Sequence, residues 1–217
     1  MKKLTLLLLS VATLALTGCH SKPKEPYDYT EFKKSNPKSI LLVMPTNDSL
    51  DVKAPTSVLA QASIPLAEKG YYVFPVTLVD EVFKQNGLPD GNSIRSASIK
   101  KIQEIFGADA IMYLNVKEYG TEYKVIDSIT SVVVAGKLVD LRTGKILWEG
   151  EQVTREGSGS GNNGILVQLV VSAINQITNT MKDRGYDVAK TATSHLFHLG
   201  TNGGILNGPR LLLQPKK

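Results

Sequence analysis

The sequence predicts one α/β or α+β domain with a mixed β-sheet covered by helices. Three observations favour this fold class. A continuous apolar run, Ser39–Met44, is typical of a parallel strand buried on both faces. Apolar residues recur at helical spacing between the first predicted strands. A β-rich stretch over residues 123–153 then supplies antiparallel strands, and this combination indicates a mixed sheet.

The composition limits what the chain can be. Its 217 residues are 42% hydrophobic, 21% charged and 6% aromatic, which excludes disorder of the whole chain and a collagenous structure. The chain has one Cys, so an intramolecular disulfide is impossible. At this length we expect one domain, with or without appendages, that can bury its core without a disulfide or a metal.

The first element, residues 1–18, is typical of a signal peptide. Two lysines precede an apolar run of about 13 residues, which is shorter than the roughly 20 needed to span a bilayer. The run ends in Leu16-Thr17-Gly18-Cys19, which resembles the lipobox of bacterial lipoproteins. The resemblance implies cleavage between Gly18 and Cys19 and a cysteine that carries S-diacylglycerol and N-palmitoyl groups. The alternative is an ordinary secretion signal with a coincidental cysteine.

The residue after the lipobox cysteine is His20, not Asp. In enterobacteria-like sorting, Asp at this position retains lipoproteins in the inner membrane. The resemblance therefore implies an outer-membrane anchor with the folded part facing the periplasm, and exposure at the cell surface stays open. Cleavage also removes two lysines from a formal net charge of +5, so the mature chain is only mildly basic and we expect no nucleic-acid partner.

Residues 19–38 are predicted to be the lipidated cysteine and a flexible tether. This segment has no aliphatic residue and is rich in Lys and Pro, a composition that does not form a core. Such a tether spans roughly 25 Å on average and about 60 Å when stretched. Tyr27, Tyr29 and Phe32 are either incidental aromatics in this tether or a docking segment.

The predicted domain covers residues 39–200, and apolar spacing together with helix-ending residues defines its first half. The expected elements are a strand Ser39–Met44, a helix from Ala54 to Gly70 that Pro65 kinks or interrupts, a strand Tyr71–Val76, a helix capped by Thr77 and stopped at Gly87, a turn Leu88–Asn92, a helix from Ser96 or Ser98 to Gly107, and a strand Ala110–Val116.

The β-rich stretch that follows is predicted to contain strands Tyr123–Ile126, Ile129–Leu141 and Lys145–Val153. The last two form a hairpin, because Asp140 can accept from amides two residues on and Gly144 can adopt positive φ. Alternation along the last strand predicts which side chains share a face. Ile146 and Trp148 lie on one face, whereas Leu147, Glu149 and Glu151 lie on the other.

The C-terminal part consists of a Gly-rich loop (Gly157–Gly164), an almost wholly apolar helix (Ile165–Met181), an amphipathic helix (Val188–Leu199) and a Gly- and Pro-containing tail, 201–217. The apolar helix is either core or an oligomer contact. The loop contains GxGxxG at 159–164, which cradles phosphate between a strand and a helix. Here the preceding strand belongs to an antiparallel hairpin, so a mobile loop or an assembly contact is favoured.

Two pairs of titratable residues are candidates for chemistry. Glu149 and Glu151 share a strand face, where they are either a wall-cleaving acid pair or part of a solvated surface. His195 and His198 are spaced as a metal half-site, but a third ligand is missing and interaction with a helix C-terminus explains them more simply.

The Ser-x-x-Lys pattern of penicillin-interacting enzymes occurs at Ser21/Lys24, Ser35/Lys38 and Ser98/Lys101. Its companion motifs are absent. We therefore predict no catalytic residue, no cofactor and no metal site.

Two further segments carry a resemblance. Gly107-Ala-Asp-Ala-Ile-Met-Tyr-Leu114 and Gly136-Lys-Leu-Val-Asp-Leu-Arg-Thr-Gly-Lys-Ile-Leu-Trp-Glu-Gly150 resemble segments of envelope proteins with a TolB N-terminal-like domain, including the curli-secretion lipoprotein CsgG and the Lpo-type activators of penicillin-binding proteins. The whole chain most resembles a bacterial lipoprotein family that includes a neisserial surface-antigen candidate and is often encoded beside a CsgG-like lipoprotein. The resemblance implies a three-layer α/β/α fold with a mixed sheet.

The resemblance also implies a role. It predicts an outer-membrane lipoprotein that is not an enzyme and binds other envelope proteins, among them a CsgG-like lipoprotein, within a secretion, transport or surface-assembly system. A homo-oligomer is compatible with this role. The alternatives are an activator of a peptidoglycan synthase and a wall-active hydrolase that uses Glu149 or Glu151.

Overall fold

A computed structural model describes residues 26–123, 128–157, 184–198 and 203–211. The helices in these ranges are α1 (Thr30–Ser35), α2 (Ala54–Glu68), α3 (Val76–Gln85), α4 (Gly91–Ser96), α5 (Ile99–Phe106) and α6 (Arg184–His198). The strands are β1 (Ser39–Leu42), β2 (Thr46–Asn47), β3 (Tyr72–Val73), β4 (Ala110–Tyr123), β5 (Ser128–Asp140) and β6 (Ile146–Gly157). The signal peptide, the lipobox, the GxGxxG loop and the predicted helix Ile165–Met181 lie outside the described residues.

The sheet is mixed, as the sequence predicts. Its strand order is β3-β1-β4-β5-β6, and β2 pairs with β4. β1 runs parallel to β3 and to β4, whereas β4, β5 and β6 pair antiparallel. The parallel part comes from the segments separated by helices, and the antiparallel part comes from the hairpins.

Helices pack on both faces of this sheet. Ile40 and Leu42 of β1 belong to a core that includes α2 and α6. Leu41 and Val43 belong to a second core on the opposite face, which includes α3 and α5. All four side chains are almost fully buried, which explains the continuous apolar run. The predicted three-layer α/β/α fold is therefore confirmed.

Helix α2 runs through Pro65 without interruption. Proline has no N–H, so the carbonyl oxygen of Gln61 loses its intrahelical donor. The Thr193 hydroxyl of α6 lies 3.3 Å from that oxygen, but its nearest acceptor is the carbonyl oxygen of Ala189 in its own helix, at 2.9 Å. The break that the sequence suggested at Pro65 is absent because α2 buries Pro65 and packs in one core with α6.

The region after β3 differs from the prediction. The predicted strand Tyr71–Val76 pairs over only two residues, and Val76 already begins α3 with Pro75, not Thr77, at the N-cap. The carbonyl oxygen of Pro75 accepts the first hydrogen bond of the helix, from the N–H of Val79 at 3.1 Å.

The predicted turn Leu88–Asn92 leads directly into α4. Asp90 caps this helix: its carboxylate accepts from the backbone N–H groups of Asn92 and Ser93, and the Ser93 hydroxyl completes a capping box. The end of the next helix is predicted correctly, because α5 stops at Gly107 with φ of +63°.

The hairpin between β5 and β6 confirms the predicted turn. The Asp140 carboxylate accepts from the N–H groups of Arg142 and Thr143, each at 2.8 Å, and Gly144 has φ of +73°. The predicted alternation fails at its start, because a bulge places Leu138 opposite Trp148 and Val139 opposite Ile146. Consequently Leu147 and Trp148 are both buried in one core, whereas Ile146 is 46% exposed.

Packing extends beyond both predicted boundaries of the domain, residues 39 and 200. Residues 26–38 are not a flexible tether, since Phe32 of α1 is buried and Tyr27 and Tyr29 pack on the same core. These aromatic rings bury apolar area that a solvated tether would leave in water.

Residues 203–211 of the predicted tail also join the domain. Ile205 is buried, and the N–H groups of Gly208 and Arg210 donate to the carbonyl oxygens of Lys69 and Gly70. A Cβ at Gly208 would lie 2.7 Å from the Gly70 oxygen, so this close approach requires glycine.

Candidate functional site

The lipidation site predicted at Cys19 lies outside the described residues. Tyr27 and Tyr29, near the start of the first described range, are fixed by hydrogen bonds. Tyr27 Oη accepts from the backbone N–H of Glu149 at 3.1 Å, and the Tyr29 hydroxyl donates to the carbonyl oxygen of Gly204. The two tyrosine rings lie 4.9 Å apart. Burial raises the pKa of both phenols, so the two hydroxyls stay protonated.

The C-terminal segment is fixed from the other side, because the Trp148 indole N–H donates to the carbonyl oxygen of Gly203 at 3.0 Å. We call Tyr27, Tyr29, Trp148, Gly203 and Gly204 the terminal clasp. Through it residues 27–29, strand β6 and the C-terminal segment form one packed unit. Sequence reasoning missed the clasp, although three aromatics in a segment without aliphatic residues were a signal.

The turn after β5 connects this unit to α1. Asp140 is 1% exposed, and its second carboxylate oxygen accepts from the Ser35 hydroxyl and, at 3.0 Å, from Arg142 Nη2. Burial alone would raise the pKa of Asp140, but the donors from Ser35, Arg142 and the turn amides outweigh it and hold the pKa at about 2. The ionised carboxylate therefore ties α1 to the hairpin.

A second surface lies on the sheet face opposite α6. The core formed with α3 and α5 reaches Tyr113 on β4 and Val139 on β5 and extends no further along these strands within the described residues. Side chains of β4, β5 and β6 beyond that point form a surface that we call the open face. Its members are Asn115, Lys117, Glu118, Ser131, Val133, Ala135, Lys137, Glu149, Glu151, Val153 and Arg155.

The charges of the open face are arranged in cross-strand pairs. Lys137 Nζ lies 2.7 Å from a Glu149 carboxylate oxygen, and Lys117 Nζ lies 2.6 Å from Glu151. Glu149 and Glu151 thus share a face, as predicted, but each contacts a lysine and their side chains are 45% and 37% exposed. A general acid needs a carboxyl that is shielded from water, so this geometry favours the solvated surface over the hydrolytic pair.

One end of the open face carries a shallow cleft. The Arg95 guanidinium stacks over the Tyr113 ring at 5.4 Å and donates to the carbonyl oxygen of Leu114 at 3.0 Å. Lys137 and Glu149 line the opposite wall. Sequence reasoning missed Arg95, Lys117 and Lys137, because the positions that pair across strands depend on the register.

The other candidate residues are not assembled into a site. His195 and His198 are exposed in the last turn of α6, and His198 Nδ1 lies 2.9 Å from the carbonyl oxygen of Ser194. Among the residues that the structure describes, no three His, Cys, Asp or Glu side chains form a metal-binding group. Within the same ranges, no helix combines the length and the apolar character that crossing a membrane requires.

Comparison with known proteins connects the chain to a family. The family model described as "Putative lipoprotein GNA1162-like" matches residues 27–210. A relative from Neisseria meningitidis serogroup B, named "Putative lipoprotein NMB1124/NMB1162", is 47% identical over 98% of this chain and 99% of its own length. These matches confirm the whole-chain resemblance that the sequence showed.

A solved structure also connects the chain to this lipoprotein family. The crystal structure of lipoprotein GNA1162 from Neisseria meningitidis is 48% identical and covers 66% of this chain and 99% of that chain, with a TM-score of 0.54. A PelC dodecamer from Paraburkholderia phytofirmans is 13% identical and covers 75% of this chain and 87% of that chain, with a TM-score of 0.46. The identity and the TM-score of the PelC match are too low to support any statement about assembly or partners.

Proposed function

The chain belongs to the GNA1162-like lipoprotein family, and we propose that it is an outer-membrane lipoprotein anchored through acyl groups on Cys19. Its periplasmic domain acts without catalysis, as a protein-binding component of an envelope secretion, transport or surface-assembly system. The binding surface is the open face. Two or three acyl chains hold the domain stably on the membrane, since each buried CH₂ contributes about 0.8 kcal/mol.

The composition of the open face carries this proposal. Its centre is apolar: Val153 is exposed, Ala135 is partly exposed, and Val133, which pairs with Val153, is almost fully buried. Ion pairs flank this centre, so the surface combines a small apolar middle with a charged border. That arrangement is typical of protein interfaces, in which a less charged core is surrounded by a polar rim.

The chemistry of the described residues supports binding over hydrolysis. Glu149 and Glu151 each contact a lysine and are open to water, so neither is placed as a proton donor. Activation of a peptidoglycan synthase stays a prediction from resemblance, since no contact among the described residues favours it. A CsgG-like lipoprotein as partner is likewise a prediction.

The anchor is tested by labelling cells with radioactive palmitate. The wild-type chain should incorporate label, and Cys19→Ser should abolish it while the full-length precursor accumulates. Retention of label in Cys19→Ser would refute the lipidation proposal.

The binding role is tested by site-specific photo-crosslinking in intact cells. A benzoylphenylalanine at Ala135, in the centre of the open face, should capture a defined envelope protein. The same probe at Glu104, which is exposed on α5, serves as the matched control and should not capture it. Reciprocal capture from the partner and loss of capture in a Lys137→Glu variant complete the test. Equal capture from both positions would contradict the proposed surface.

A further inference from the structure

The side chain of Arg95 is held in a fixed position at the cleft end of the open face. Helix α4, which carries it, begins at the capping box of Asp90 and buries Ile94 completely. The guanidinium stacks over the Tyr113 ring at 5.4 Å and donates through Nη2 to the carbonyl oxygen of Leu114 at 3.0 Å. A cation that is stacked on one side and hydrogen-bonded on another loses little conformational freedom when it binds a further group.

Arg95 has no contact with an acidic side chain among the residues that the structure describes. A guanidinium has five N–H donors, and the hydrogen bond to Leu114 uses one of them. Asp48 is close enough to raise the pKa of Arg95, but its carboxylate accepts from Asn115 Nδ2 at 2.8 Å. Burial has the larger effect and lowers this pKa. The charged guanidinium is therefore partly withdrawn from water without an anion that compensates for the lost hydration.

The two acids that line the cleft are already paired with lysines. Lys137 Nζ lies 2.7 Å from Glu149, and Lys117 Nζ lies 2.6 Å from Glu151. Each of these pairs is neutral as a whole, so Arg95 adds one positive charge to a cleft whose other charges are balanced. A ligand group with one negative charge fits this balance. A phosphate dianion fits it poorly, because its second charge would be repelled by the two glutamates.

The floor of the cleft leaves room for a side chain from another molecule. Ala135 lies between Asn115 and Glu151 in the strand register and contributes only a methyl group. The cleft has a volume of about 370 Å³, which is at the lower end of the range for small-ligand pockets. Ala135 also belongs to the apolar centre of the open face, so the cleft and that centre are continuous.

We propose that this cleft binds the carboxylate of an aspartate or glutamate side chain of a partner protein, and that Arg95 holds this carboxylate. The inference deepens the protein-binding role proposed above and rests on it. A carboxylate can accept two parallel hydrogen bonds from a guanidinium, and such charge-assisted bonds are stronger than bonds between neutral groups. Arg and Tyr are enriched among the residues that dominate binding at interfaces, and here Arg95 and Tyr113 form one stacked unit.

The carboxylate site is tested directly by NMR on the full-length protein in detergent micelles, with ¹⁵N-labelled arginine. The chain has five arginines, so the Nε–Hε spectrum is simple, and the signal that is lost in Arg95→Lys belongs to Arg95. The probe is the tripeptide acetyl-Ala-Glu-Ala-amide, and its matched control is acetyl-Ala-Gln-Ala-amide. A single charged contact binds weakly, so each is added to about 50 mM at constant ionic strength.

The Glu peptide should shift the Arg95 signal about fivefold more than the Gln peptide, because the Gln amide carries no charge. Arg210, which stacks over Tyr72 of β3 at 5.3 Å, is the internal control, and its signal should stay in place. Inorganic phosphate at the same concentration should shift the Arg95 signal less than the Glu peptide does. Equal shifts from the two tripeptides, an equal or larger shift from phosphate, or equal shifts of Arg95 and Arg210 would overturn the proposal.

Photo-crosslinking in intact cells tests whether a partner protein uses the site. A benzoylphenylalanine at Val153, which is 43% exposed on the open face and lies outside the cleft, should capture a defined envelope protein. Arg95→Gln should lower this capture about tenfold. Arg95→Lys should keep part of it, because lysine retains the charge but not the planar fork. The matched control is Arg210→Gln, which removes a stacked arginine from the opposite edge of the sheet and should leave capture unchanged.

The outcomes separate this inference from the protein-binding role. Unchanged capture in Arg95→Gln, with the fluorescence of Trp148 showing a folded protein, would overturn the carboxylate site and leave the open face as the binding surface. Absence of capture from the wild-type background would refute the protein-binding role and the partner with it. A shift of the Arg95 signal that depends on the Glu peptide would then still support a carboxylate site in the cleft.

Discussion

Replacing Asp140 by Asn should remove a pH-dependent part of the stability of the domain. The carboxylate is buried and accepts from the Ser35 hydroxyl, the Arg142 guanidinium and two turn amides. These donors favour its charged form, so the pKa falls from 3.8 to about 2 on folding. Asparagine keeps an oxygen for the turn amides but has no charge to pair with Arg142.

The direction in which stability changes with pH follows from the lowered pKa of Asp140. A carboxyl with a lower pKa in the folded state adds stability above its unfolded pKa, and this stability is lost as the pH falls through the folded pKa. The shift corresponds to about 2 kcal/mol at pH 7, about half of which is lost by pH 3. The wild-type chain should therefore lose about 1 kcal/mol more than Asp140→Asn between pH 5.5 and pH 3.

The assay is urea unfolding at a series of pH values, followed by fluorescence of the single tryptophan, Trp148, which is fully buried. Glu104→Gln, at an exposed position on α5, is the control and should follow the wild-type pH profile. The reasoning would be refuted if the difference in unfolding free energy between wild type and Asp140→Asn were the same at pH 5.5 and at pH 3.

Three further changes probe the clasp, the core and the anchor. Tyr29→Phe leaves a partly buried carbonyl oxygen without its donor and should cost about 1 kcal/mol in urea unfolding, whereas Tyr72→Phe, on an exposed ring, should cost much less. Gly150→Ala would place a Cβ 2.4 Å from the Trp148 ring, so a loss of about 1–3 kcal/mol and a changed tryptophan spectrum are expected. His20→Asp should move the protein from the outer-membrane to the inner-membrane fraction of a sucrose gradient, and an unchanged distribution would contradict the sorting prediction.

The features that the sequence predicts correctly depend on nearby residues. The Asp140 turn needs one carboxylate and Gly144 within five positions. The end of α5 needs only Gly107 in a left-handed conformation. The burial of β1 on both faces follows from its uninterrupted apolar run. In each case the residues that determine the structure lie within a few positions of one another.

The features that the sequence misses depend on distant contacts. Tyr29 is ordered by Gly204, far along the chain, and Pro65 is buried in an uninterrupted helix that packs in one core with α6. The bulge at Leu147 changes the face of Ile146, and apolar alternation alone contains no sign of it. The ion pairs of the open face likewise require the strand register, which local patterns do not fix.

The early start of the packed domain changes how far it can act from the membrane. With the anchor at Cys19, only seven peptide units separate the lipidated residue from Pro26, and they span at most about 25 Å. The predicted tether would reach about 60 Å. Tyr27 binds the edge of β6 at Glu149, so the end of the open face around Glu149 lies close to the start of the packed domain. A partner that binds there must therefore approach closer to the membrane than the predicted tether would require.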